Sequence, residues 1–195
     1  MLPFCEGSHN ISFDEMMLWN KAIDALNSLL HNYFTSYEII QSSPNTCVVT
    51  GELKLDNPRC DFHFSRTAHV EIIIHLLNLI QYQPNVKVNE LWMKRSSEWH
   101  CSEDKRLCWE LEAHWRGKLQ EISEKNPPLE DFVTYALTWC LESSACLISR
   151  HWYAHTKNIT EWPSTWKFWS HYTAGEKEYE RRQRKKERKK FKRAH

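Results

Sequence analysis

The sequence predicts an α+β fold: an N-terminal helix, an antiparallel β-meander, then C-terminal helices with a basic helical tail. Three observations carry this. Apolar residues near the N-terminus recur at helical spacing, several β-prone segments then follow one another with no helix between them, and helical spacing returns in the C-terminal third.

The first helix starts at a capping box, Ser12 followed by Glu15. Met16, Trp19, Ile23, Leu26, Leu30 and Tyr33 then make one apolar face. Strands follow. Tyr37 to Gln41 is short and β-prone, and Ser42-Ser43-Pro44-Asn45 is turn chemistry. Thr46 to Leu55 reads as a strand in which Gly51 marks a bulge. Beyond the Asp56-Asn57-Pro58 turn, Cys60, Phe62 and Phe64 alternate with Asp61, His63 and Ser65, the period of a half-buried strand. His69 to Leu77, rich in Ile and Val, reads as a further strand, although an apolar run on both faces also suits a helix by periodicity alone. His63, His69 and His75 would share a face on one continuous strand, but a turn at Ser65-Arg66-Thr67 separates them and favours ordinary surface histidines. Val86, Val88 and Leu91 suggest one more. Arg95 to Gln120 is polar, aromatic and irregular, the composition of a surface segment that carries function. Asn126-Pro127-Pro128 closes it. Leu129 to His155 is the strongest helical segment, and Trp162, Trp166, Trp169 and Tyr172 read as a cap over the core. Residues 1–172 thus form one domain with a Trp-rich cap, and 173–195 form a basic tail.

Composition narrows the class. Of the 195 residues 41% are hydrophobic and ten are tryptophan, which excludes a disordered chain. No uninterrupted apolar run reaches the roughly 18 residues of a membrane span, so no membrane partner is expected. MLPFCEGSHN has neither a basic n-region nor a long apolar h-region, which predicts a cytoplasmic protein. The seven cysteines are odd in number and form no C-x-x-C pair, so most should be free thiols. The net charge of +1 conceals an acidic body and a basic tail: Glu176 to Arg193 holds eleven Lys or Arg against four Glu.

The candidate chemistry lies between Trp99 and Trp115, where His100, Cys101, Ser102, Asp104, Lys105, Cys108 and His114 follow the meander. Three readings compete. His100, Cys101, Cys108 and His114 have metal donor atoms, but the two cysteines are seven residues apart, wider than paired zinc ligands usually stand. A nucleophilic Cys108 activated by one of eleven histidines would suit a hydrolase, yet no protease signature surrounds it. The third reading is acyl transfer through a thioester at Cys108, with Lys105 and Arg106 close enough in sequence to lower its pKa, and Asp104 and Glu103 able to orient an amine.

Val70-Glu71-Ile72-Ile73-Ile74-His75-Leu76-Leu77, then Tyr82-Gln83-Pro84-Asn85-Val86, Leu107-Cys108-Trp109 and Trp115 occur in that order. In this the chain resembles the ubiquitin-conjugating enzymes: the strand before their Tyr-Pro turn, that turn, the aliphatic-Cys-hydrophobic active site, and a Trp downstream. The resemblance spans about residues 12 to 155. It is to the bacterial members, found in antiviral (antiphage defence) operons, with their H-x(4–8)-L-C-[hydrophobic] motif; Trp162-Pro163-x-x-Trp166 and Gly175-x-x-x-Tyr179 also resemble them. The family's His-Pro-Asn is absent. Either Ser102 stands at its Asn across a loop two residues shorter, or, aligned back from Cys108, His100 stands there. Lys105 occupies the position of the Gly three residues before the cysteine.

The resemblance implies a ubiquitin-conjugating-like enzyme whose Cys108 carries a protein C-terminus as a thioester and transfers it to an amine, with His100 as oxyanion or structural support and Ser102, Asp104 and Lys105 as candidate supporting residues. Its partners would be an activating enzyme and a ubiquitin-like protein or a nucleotidyltransferase C-terminus, and no cofactor or metal is expected. The rival is a non-catalytic adaptor of the same fold, binding nucleic acid or an acidic partner through Arg181 to Arg193; a solvated helix end explains the same charges.

Overall fold

The computed structural model describes residues 13–56, 62 and 64–166. The Ser12 end of the capping box, Cys5, Cys60, His63, Trp169, Tyr172, the boundary at 172 and the basic tail lie outside these residues. Among the described residues the chain is α+β: one helix, a four-stranded antiparallel sheet, and two C-terminal helices.

Helix α1 (Phe13–Tyr33) carries Asp14 and Glu15 in its first turn, the sign suited to the positive end of the helix dipole. Ala22, Leu26, Leu29 and Leu30 bury its inner face, with Trp19 and Ile23 packed beside them. Met16, expected on that face, is half exposed, as are its neighbours Met17 and Leu18.

Helix α1 runs directly into strand β1 (Phe34–Ser43), longer than the Tyr37 to Gln41 segment read from sequence. Pro44 and Asn45 turn it into β2 (Thr46–Lys54), which pairs with β3 (Thr67–His75), which pairs with β4 (Asn85–Val88). The order β1-β2-β3-β4 is an uncrossed meander. Period-two alternation points Cys47, Val49 and Leu53 of β2 and Ala68, Val70, Ile72 and Ile74 of β3 into the core. His69 and His75 share the opposite face, where they meet Glu52 and Thr46. Gly51 faces Tyr37 next to a register shift in β1, so the irregularity read at this glycine lies in its partner strand.

Two expectations change. Phe62 and Phe64 stand in no strand. Phe62 instead stacks on Tyr153 at 4.2 Å with an edge toward Trp166. The alternation read as a strand therefore supplies aromatic anchors. The stretch read as irregular contains helix α2 (Glu112–Ser123), which buries Trp115, Leu119 and Ile122.

Helix α3 (Leu129–Thr156) packs against α1, and Tyr33 donates a 2.8 Å hydrogen bond to Glu142 across that contact. By length and hydropathy α3 also meets the requirement of a membrane span, but 61% of its most apolar window is buried inside the fold, as in a core helix. After α2 and α3 the chain turns through Asn126 and Asn158 at φ 46° and 52°, a left-handed geometry that asparagine tolerates better than most residues.

Candidate active site

The free edge of β4 is covered by the segment that leads to Cys108. The Val88 N–H donates to the Lys105 carbonyl at 2.9 Å and the Leu107 N–H to the Val86 carbonyl at 2.8 Å. This strap is folded on itself through bridges of Cys101 with Ser96 and with Leu107. Its short turn is built by Ser102, whose hydroxyl donates to Asp104 and accepts the Arg106 N–H at 3.0 Å. Arg106 closes the turn on the Asp104 carboxylate at 2.7 Å. The Ser102 bond holds the Asp104 carboxyl below the usual carboxylate range, with Arg106 adding to it. Lys105 sits at φ 66°, a left-handed position where glycine is the unstrained choice.

Beyond the turn the chain alternates inward and outward as a strand does. Leu107 and Trp109 are buried, and Cys108 between them is exposed. Trp109 is fixed by its indole N–H on the Pro84 carbonyl at 3.1 Å, and Trp115 by its own on the Leu79 carbonyl at 2.6 Å; the rings meet edge to face at 5.4 Å. These two tryptophans hold both the thiol and the start of α2 against the loop that precedes β4. The Cys108 N–H donates to the His100 carbonyl at 2.8 Å.

The thiol is not activated by a cation. Partial burial and then the Glu110 carboxylate push its pKa up. Lys105 and Arg106, expected to lower it, act elsewhere: Arg106 on Asp104, and Lys105 on Cys101. Cys101 is buried, its thiol raised chiefly by that burial, and it directs its Sγ at the Ser102 carbonyl. Cys47 and Cys140 are buried free thiols, the former pushed up to about 12 by burial. Cys146 is disulfide-bonded, while the other described cysteines are free thiols. Among the described residues no three of His, Cys, Asp and Glu gather as a metal site.

His100 contributes its backbone carbonyl to Cys108, while its ring packs edge-on against Trp162 at 5.3 Å. Burial, then Arg150, lowers its pKa, so the imidazole is neutral at pH 7. Trp162 bonds back through its N–H to Glu98 at 3.2 Å and through its indole to the Trp166 carbonyl at 3.0 Å. The tryptophan cap read from sequence thus covers the strap, in the part that is described.

Two groups, one beside the thiol and one behind the strap, were not legible as site residues. Glu110 is buried, accepts the Leu111 N–H at 2.8 Å at the start of α2, and lies 3.3 Å from Nδ1 of His114. Its i,i+4 spacing to His114 at a helix start was the available signal. His151 is fully buried on α3 and reaches the strap from behind, with one ring nitrogen 3.3 Å from the Lys94 N–H and the other 2.8 Å from the Trp99 carbonyl. Those partners are backbone atoms more than fifty positions away, which no local pattern announces.

No protein-family model, no curated protein and no solved structure matches the chain.

Proposed function

We propose that the chain is a ubiquitin-conjugating-like acyl carrier, acting in the cytoplasm and, by its resemblance to the bacterial members, in antiviral defence. The observation that carries this reading is the exposed Cys108 thiol between the buried anchors Leu107 and Trp109, following a helix, a meander and an edge strap in that order. A second observation supports it. Lys105 adopts the left-handed backbone, which favours glycine, at the position where the resemblance places the family's glycine.

The chemistry proceeds in two exchanges. The Cys108 thiolate attacks the thioester carbonyl on an activating enzyme; a new S–C bond forms and the enzyme's thiolate leaves. An amine then attacks the Cys108 thioester, a C–N bond forms, the C–S bond breaks, and the departing Cys108 thiolate takes up the proton that the amine gives up. A thioester is already activated, so a thiol with a raised pKa is competent: its thiolate is scarcer but more nucleophilic. His100, its pKa lowered by burial and so neutral, is the proposed donor to the oxyanion in place of the missing Asn.

The test is to incubate the full chain with an activating enzyme and a modifier or nucleotidyltransferase C-terminus, as encoded by neighbouring genes. A thiol-reducible adduct absent from Cys108→Ala is expected. The raised Cys108 pKa favours a second reading, the non-catalytic adaptor. It requires no adduct with any pairing, a fully stable Cys108→Ala, and a salt-sensitive DNA shift lost on truncation after Tyr179.

A further inference from the structure

We propose that His151 is a positioning residue for Cys108: from α3 it latches the strap, and the latch sets the His100 carbonyl that receives the Cys108 N–H. The inference deepens the acyl-carrier reading and rests on it for its purpose, since it concerns how the same thiol is held.

The argument begins with the ring. His151 has no exposed surface, so both its nitrogens must find protein partners. The Lys94 N–H can only donate, so Nδ1 accepts and the proton resides on Nε2, which donates to the Trp99 carbonyl. The ring also rests on the Trp99 indole, 5.6 Å between centroids. One side chain on a long helix therefore grips the strap at two points five residues apart.

The second grip matters for the thiol. The Trp99 carbonyl and the His100 N–H belong to one peptide plane. His151 holds the carbonyl, and the Ser97 carbonyl accepts the N–H at 3.1 Å. That plane, together with the next one, whose Cys101 N–H donates to the Ser96 carbonyl at 3.2 Å, holds His100 at φ 52°, a conformation that costs free energy for a residue with a Cβ and persists only where its surroundings over-determine it. The next carbonyl along the chain, that of His100, then meets the Cys108 N–H at 2.8 Å. Released from the latch, the strained residue relaxes and the carbonyl turns away.

Two variants separate the grips. His151→Asn keeps a polar atom near the Nδ1 position for Lys94 and cannot reach Trp99; His151→Gln reaches the Nε2 position and can donate to Trp99. Amide hydrogen exchange by NMR on the full chain is read at Cys108 and at Ile72 of β3 as an internal control, alongside the rate of iodoacetamide alkylation at Cys108. For His151→Asn we expect Cys108 exchange to rise about fivefold or more over the control, the factor one hydrogen bond of ordinary strength represents, with an altered alkylation rate. His151→Gln should stay within about twofold of the wild-type protein, since it retains the bond that matters. Equal behaviour of the two variants, or no change in either, overturns the proposal. So does loss of protection at Ile72 in His151→Asn, because His151 would then hold the core rather than the strap. These readouts need no acyl donor. A wild-type chain that never forms an adduct refutes the carrier reading and leaves the exchange result to stand or fall by itself.

Discussion

Adding one methyl group to either of two glycines should move stability in opposite directions. At Gly51 a Cβ would stand 2.3 Å from the Ser36 carbonyl oxygen and 2.7 Å from the Tyr37 Cα, both backbone atoms of β1. No rotamer relieves that contact, so β1 must retreat from β2 around the Tyr37–Gly51 pair. Overpacking of this kind costs about 2 kcal/mol, and a weakened ladder hydrogen bond adds about 1 kcal/mol. Gly51→Ala should therefore lose about 3 kcal/mol, which for a chain of this size is a fall in Tm of roughly 10 °C. At Gly117, in the middle of α2, a Cβ meets nothing within 4 Å. Gly117→Ala replaces a poor helix former with the best and should gain about 1 kcal/mol. Urea unfolding followed by circular dichroism, with thermal melts beside it, measures both. If Gly51→Ala comes within 1 kcal/mol of the parent, the close approach of the two strands is wrong; a destabilised Gly117→Ala sinks the exposed-helix account.

Burial lowers the His151 pKa to about 4, so between that value and the 6.5 of an unfolded histidine the unfolded chain binds a proton that the fold refuses. Stability falls as pH drops through this window, by up to about 3 kcal/mol; urea titrations of the wild-type and His151→Phe proteins at a series of pH values should show the steeper loss in the wild type, and parallel slopes would exclude the assignment. Lys105→Gly relieves a left-handed Lys but adds freedom to the unfolded chain, for a net gain of about 0.5 kcal/mol, whereas Lys105→Val should destabilise; a ranking with Val above Gly contradicts the turn geometry. Glu110→Gln removes the carboxylate that raises Cys108, so alkylation of Cys108 at pH 7.5 (about a unit below an ordinary thiol pKa) should speed up, and an unchanged rate would mean that burial alone sets the pKa.

How much of this was readable in advance depended on whether the partners were local. Strand β2 announces itself by small or apolar residues on every second position, and β3 by its density of Ile and Val. Helix α3 is long enough for its spacing to dominate. Helix α2 was missed because only Trp115, Leu119 and Ile122 bury, and its start carries no side-chain cap on Leu111. The Phe62–Phe64 alternation misled because its aromatic rings pack on Tyr153 and Trp166 rather than beside a neighbouring strand. Cys108 stood out by its flanks, Leu107 and Trp109, which face inward and leave the thiol outside. The expected influence of Lys105 and Arg106 failed because nearness in sequence says nothing of direction: the turn spends Arg106 on Asp104 and aims Lys105 elsewhere. The supports behind the thiol, His151 above all, bind backbone atoms and leave no side-chain motif.

The inward–outward alternation at Leu107, Cys108 and Trp109 also limits how this segment can change length. The strap is pinned to Val86 and Val88 on one side and anchored by Trp109 on the other. One residue inserted between Leu107 and Trp109 would exchange the two faces, sending either the sulfur into the core or an apolar anchor into water. Two residues would restore the parity but lengthen the span that Trp109 must bridge to Pro84. The Glu103–Asp104 tip of the Ser102–Arg106 turn lies outside the pairing with β4 and absorbs additions without reversing any side chain. Lineages of this protein should therefore vary in length at that turn and hold an invariant count from Leu107 to Trp115.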